Sequence, residues 1–105
     1  MLKKDLIAEI VSTGEIIWQK HALQRMMERK ISREDVKKAI IEGIIIESYI
    51  KDKPLPSVLI ACISKELTLH VVTAFDFENK SVYIITAYYP DRKHFEGDFI
   101  TRRKG

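Results

Sequence analysis

The apolar residues of this chain change their repeat at Gly43, and that change limits the fold more than any other feature. Before Gly43 they recur every three or four positions, the period of a helix with one buried face. After it, β-branched and aromatic residues come in short runs, the habit of strands. A chain ordered this way packs early helices against a late sheet, which is an α+β arrangement rather than an alternating one.

Leu2, Leu6, Ile7, Ile10 and Val11 form the first helical arc, and Gly14 ends it. Ala22, Leu23, Met26 and Met27 form a second arc, from Gln19 to about Lys30. Ser32 then stands where a helix N-cap belongs, with Asp35 at the third helical position, as in a capping box. Val36, Ala39 and Ile40 line that third helix and Gly43 closes it. Between the first two helices, Ile16-Ile17-Trp18 is too short to classify, and a brief extended segment fits it.

Four strands are expected at Ile44–Ile50, Val58–Ile63, Leu67–Phe75 and Ser81–Tyr89. Their separators are short and polar or proline-bearing, which suits a meander of antiparallel hairpins. The expected architecture is two or three helices on one face of a four-stranded antiparallel sheet. Register in the last hairpin stays open. With an odd turn, such as Phe77 to Asn79, His70 faces Thr86. With a two-residue turn at Glu78-Asn79, it faces Ala87 and Tyr88 lies on the opposite side.

At 105 residues the chain suits one domain, with a helical leader at 1–16, a core at 17–92 and a basic tail at 93–105. A content of 46% hydrophobic and 31% charged residues excludes a disordered chain. Cys62 is the only cysteine, so no internal disulfide forms. Asp5 and Glu9 interrupt any secretory apolar segment, and no apolar run approaches the ~20 residues that span a bilayer. A cytoplasmic protein without membrane contact is expected. No glycine-rich phosphate loop, nucleophile elbow or paired-cysteine zinc spacing occurs. No cofactor is implied, and His21, Cys62, His70 and His94 would make a zinc site only by coincidence of folding.

Charge is more informative in its distribution than in its sum. The net charge is +3, yet Gln19 to Arg33 holds five basic residues against the single acid Glu28, a local charge of +4. Within that segment His21, Arg25 and Arg29 follow at i, i+4 and i+8, so one helix face presents an imidazole and two guanidiniums. The plain alternative is a solvated face in which Glu28 pairs with a neighbouring arginine. His70 is alone in an apolar strand, either as a hydrogen-bonded core histidine or as a site residue able to exchange a proton near neutral pH. Thr86 and Tyr88 share a strand face, although Thr and Tyr favour strands in any case. Arg92, Lys93, His94, Arg102, Arg103 and Lys104 give the tail a basic end.

The run His21-Ala22-Leu23-Gln24-Arg25-Met26-Met27-Glu28-Arg29-Lys30-Ile31-Ser32 resembles the opening signature, H-A-x-x-R-M-x-x-R-x-I-S, of a bacterial family of small domains of unknown function. Gly43 with its isoleucine run, Leu69-His70-Val71-Val72 and Thr86-Ala87-Tyr88-Tyr89-Pro90-Asp91 continue the likeness over roughly residues 17 to 92. Members often carry a tryptophan shortly after the Pro-Asp, where this chain has His94-Phe95. The family looks similar in layout to RelE/ParE-like toxins of the barnase–colicin–RelE ribonuclease fold. The resemblance implies that His21, Arg25, Arg29, His70, Thr86 and Tyr88 are the signature positions.

These residue types suit metal-independent RNA cleavage, in which a 2′-hydroxyl attacks the adjacent phosphate. The expected roles are His70 and His21 as the acid/base pair and Arg25 and Arg29 as phosphate ligands. Tyr88 would stack a base or donate a hydrogen bond, and Thr86 would orient a partner. The expected function is a toxin-type endoribonuclease of a toxin–antitoxin system, with RNA as substrate and an antitoxin-like protein as partner. The alternative is a non-catalytic module that binds nucleic acid or protein.

Overall fold

The computed structural model describes residues 4–49, 51, 55–63 and 68–90. Three helices come first: α1 (Lys4–Thr13), α2 (Lys20–Arg29) and α3 (Arg33–Glu42). The strands are β1 (Glu15–Trp18), β2 (Ile44–Tyr49), β3 (Ser57–Ile63), β4 (Thr68–Asp76) and β5 (Ser81–Tyr88). They form one sheet in the order β1-β5-β4-β3-β2. No described helix is long and apolar enough to cross a membrane.

Local chemistry sets the helix ends. The Ser32 hydroxyl accepts from the Asp35 N–H at 3.0 Å, and the Asp35 carboxylate accepts from the Ser32 N–H at 3.1 Å. That closed capping box starts α3. Lys30 ends α2 in the left-handed region, at φ 58°, while the Ile31 N–H donates back to the Met26 carbonyl at 2.8 Å. This is a Schellman-type stop made without glycine. Gly43 stops α3 at φ −77°, so space rather than backbone strain calls for glycine there. A Cβ would lie 2.7 Å from the Ile60 methyl and 2.8 Å from the Ala61 carbonyl oxygen.

Among the described residues the sheet has five strands of mixed direction, not the four antiparallel strands expected. Ile16-Ile17-Trp18 belongs to β1, which runs parallel to β5 from Glu15 opposite Ser81 to Trp18 opposite Ile84. Nothing local announces this pairing, because the partner lies far along the chain and no hairpin turn joins the two. The chain leaves α1 at Gly14, close against the Lys80 carbonyl, and the Glu15 N–H donates to that carbonyl at 3.0 Å.

All three helices cover one face of the sheet. Ile7, Ile10 and Val11 of α1, Ala22 and Met26 of α2, and Val36, Ala39 and Ile40 of α3 share a core with Val58, Ile60, Val71, Phe75, Val82, Ile84 and Ala87. The leader helix is thus part of the core, although Leu6 from its expected arc stays 46% exposed. The Arg33 guanidinium stacks 5.6 Å from the Trp18 ring centre and ties the start of α3 to β1. Thr73 also points to the helix layer, fully buried, with no hydrogen-bond partner for its hydroxyl.

The β4–β5 register follows neither of the two expected alternatives. Asp76 pairs with Ser81 across a turn of four residues, and this even count would set His70 opposite Ala87. One residue intervenes: Thr73 pairs with Ile84 but Val72 pairs with Thr86. Ile85 is therefore a bulge, which shifts the remainder of the ladder by one position. His70 ends opposite Tyr88 and Val71 opposite Ala87.

Candidate functional site

The site is assembled where β5 outruns its outer neighbour. β1 stops at Trp18, opposite Ile84, so among the described residues no strand pairs with the outer edge of β5 beyond that point. Arg29, in the last turn of α2, reaches this edge and donates from its guanidinium to the Ala87 carbonyl at 2.8 Å. The contact satisfies a backbone acceptor that an additional strand would otherwise take. It also fixes a planar cation beside the end of the sheet, with further N–H donors on the same guanidinium.

Arg29, Thr86, Tyr88 and Tyr89 line an open hollow of about 470 Å³. Thr86 and Tyr88 come to it from the sheet face opposite the helices, and Arg29 comes from the helix side. Tyr89 follows directly on β5 and is 40% exposed. The hollow thus combines a guanidinium, a hydroxyl and two phenol rings around the outer edge of one strand.

Behind Tyr88 lies His70. Its Nδ1 is 3.4 Å from the Tyr88 hydroxyl, and the two rings meet edge to face, 5.4 Å between centres at 80°. His70 is fully buried. Because Val71 faces the helices, alternation sends the His70 side chain out of the other face.

His21 and Arg25 sit differently. Both are exposed on α2, which packs through Ala22 and Met26 on the face bearing Ile84 and Ala87. His21 and His70 thus belong to opposite sides of the sheet. The expected acid/base pair is not brought together, because it requires two side chains that the alternation of β4 separates. Arg25 makes an exposed ion pair with Glu28 at 3.5 Å, as the plain reading of that face expected. Arg29, Thr86 and Tyr88 are brought together, with His70 in contact through Tyr88. The tail residues Arg92, Lys93, His94, Arg102, Arg103 and Lys104 lie outside the described residues.

Tyr89 is the site residue that sequence reasoning passed over. It was visible only as the second member of a Tyr-Tyr pair, and its placement depends on where β5 ends. A second hollow, of about 480 Å³, adjoins it and takes Lys38 and Glu42 from α3 and Cys62 and Leu69 from the strands. Lys38 and Glu42 carry no motif in the sequence that would single them out.

Among the described residues no group of three His, Cys, Asp or Glu side chains is placed to hold a metal ion. Away from the site, the Asp76 carboxylate is perturbed. Side-chain and backbone hydrogen bonds from Asn79 hold the Asp76 carboxyl below its ordinary value. The Asn79 N–H reaches it at 3.1 Å and the Asn79 side-chain amide at 2.7 Å.

A family model described as a domain of unknown function, DUF4258, matches residues 18–89. That span runs from Trp18 through α2 to Tyr89 and includes every residue of both hollows. No curated protein and no solved structure matches the chain.

Proposed function

The chain belongs to the DUF4258 family of domains of unknown function, and from the geometry at the end of β5 we propose that it binds single-stranded RNA. The observation that carries this reading is the placement of Arg29 beside Thr86, Tyr88 and Tyr89 in one open hollow. A guanidinium fork matches a phosphate, and aromatic rings next to it stack bases without needing a duplex. Arg25, on the same helix, adds a second guanidinium beside its exposed pair with Glu28. A simple anion site would not need two phenol rings, and a duplex keeps its bases from them.

The test is fluorescence anisotropy of a labelled single-stranded RNA across a salt series. Affinity should fall as salt rises, and Arg29→Ala should weaken binding about tenfold and lower the salt slope by about one. Binding indifferent to salt and to Arg29→Ala would remove the reading. Since Arg29 also holds the Ala87 carbonyl, Arg25→Ala serves as a second variant with no backbone contact to lose.

One observation favours a second reading, RNA cleavage by a toxin-type endoribonuclease. Tyr88 lines the hollow, and its hydroxyl lies 3.4 Å from His70 Nδ1. In that reading a 2′-hydroxyl attacks the adjacent phosphorus, the 5′-oxygen leaves with a proton and a cyclic phosphate remains. Tyr88, backed by His70, carries the proton, and Arg29 faces the non-bridging oxygens. This replaces the His21–His70 pair with one that the fold brings into contact. Cyclic-phosphate products that persist in Tyr88→Phe would sink it.

A further inference from the structure

The second hollow shares Tyr89 with the first, so this residue borders both. The floor of the second hollow is apolar, made by Cys62, Ile63 and Leu69, and its polar rim belongs to α3. Three charged residues lie on that rim. The Asp35 carboxylate is occupied at the helix cap, where it accepts from the Ser32 N–H. Lys38 and Glu42 stand one helical turn apart, at a spacing where opposite charges commonly pair. They do not pair here: the ion pairs among the described residues are Arg25–Glu28 and Lys37–Glu34. An ammonium and a carboxylate from one helix thus share a hollow with apolar side chains and a tyrosine.

The geometry points to a guanine subsite in this second hollow. This inference rests on the RNA reading, because the base belongs to the same strand whose phosphate lies at Arg29. Apolar side chains and a phenol ring in one hollow take a flat aromatic ligand by stacking and burial. The rim then selects which base enters. An ionised carboxylate only accepts hydrogen bonds, and both its oxygens are used when two donors stand next to each other in one plane. Guanine presents two adjacent donors, N1–H and the 2-amino group, with the O6 acceptor beside them on the same edge. Glu42 takes the two donors and Lys38 donates to O6. Adenine, cytosine and uracil each lack the adjacent donor pair, and a base that cannot supply it leaves the carboxylate under-satisfied. Tyr89 connects the two functions, since it borders both the phosphate hollow and the base hollow.

The test compares single-stranded RNAs that differ at one position. An all-uridine oligomer is the reference, and one central residue is changed to guanosine, adenosine or inosine. Wild-type protein should bind the guanosine oligomer about tenfold more tightly than the reference, as one good bidentate contact allows. Inosine keeps N1–H and O6 but lacks the 2-amino group, so it should lose most of that preference. Glu42→Gln replaces one acceptor by a donor and should bring the guanosine-to-uridine affinity ratio to about one. Equal affinity of wild type for the guanosine and reference oligomers overturns the subsite while leaving Arg29-dependent RNA binding standing. A preference that survives Glu42→Gln overturns it as well. Failure of every oligomer to bind overturns the subsite together with the RNA reading.

Discussion

Tyr88 stands directly across the β4–β5 ladder from His70, its hydroxyl 3.4 Å from the imidazole Nδ1, because Ile85 takes no partner on β4. Were Ile85 paired in a regular ladder, Ala87 would face His70 and Tyr88 would turn toward the helices. The bulge thus performs for one side chain what a turn of different length would have done for the whole strand. Bulges concentrate where a side chain must be re-aimed.

Tyr88 should therefore show two separable effects. Tyr88→Phe keeps the ring against His70 and removes the hydroxyl, at about 1 kcal/mol of stability. Tyr88→Ala also removes the stacking surface and should weaken single-stranded RNA binding roughly tenfold, within the 1–3 kcal/mol that base–aromatic stacking supplies. Urea unfolding reads the first effect and anisotropy the second. Equal RNA affinity in wild type and Tyr88→Ala would separate this ring from the binding surface.

Thr73 offers a stabilising substitution. Its hydroxyl is buried in the helix-facing layer without a partner, so it bears a desolvation penalty with no bond to offset it. Thr73→Val keeps the branched shape and removes the oxygen, and should raise stability by about 1 kcal/mol. A lower urea midpoint in the variant would mean that the hydroxyl is satisfied after all.

Two helix ends should respond in opposite senses. Lys30 holds a left-handed conformation that an L-residue adopts at a cost of roughly 1 kcal/mol. Lys30→Gly should stabilise by about 0.5 kcal/mol, once the greater freedom of glycine in the unfolded chain is counted. Gly43→Ala should destabilise by about 2 kcal/mol, since its methyl meets the Ile60 side chain and the Ala61 carbonyl. Thermal melts of the two variants would settle both signs.

Asp76 should make stability depend on pH at the acid end. Hydrogen bonds from the Asn79 side chain and backbone depress its folded-state value. A depressed carboxylate contributes stability above its unfolded value of about 3.9 and loses it as pH falls through the folded value. Asp76→Asn should thus melt below wild type at neutral pH, and the gap should close below about pH 4. A gap that stays constant across the titration would show that this carboxylate is not the group responsible.

What could be read in the sequence was whatever neighbouring residues decide among themselves. The Ser32–Asp35 box, the stop at Gly43 and the four late strands are short-range matters, and they fall where period and capping rules put them. β1 was ambiguous because its four residues gain strand character only from a partner distant in sequence. The Ile85 bulge was invisible because Ile is as common in a regular strand as in an irregular one. At the site, Arg29, Thr86 and Tyr88 were legible as types and their convergence was not, since it depends on β1 ending before β5. His21 and His70 failed to meet for the same kind of reason: helix periodicity places one and strand alternation the other, and neither rule refers to both.

The parallel pairing of β1 with β5 has a consequence for synthesis. Glu15–Trp18 leaves the ribosome early, yet its partner Ser81–Ile84 is among the last described segments made. During that interval Ile16, Ile17 and Trp18 are an extended apolar piece with no neighbouring strand, the kind of segment that invites association between nascent chains. The helices can gather around one another beforehand, but β1 can pair only once β5 has been made. Completion of this fold therefore waits on translation, and the last clasp joins the chain's early residues to its late ones.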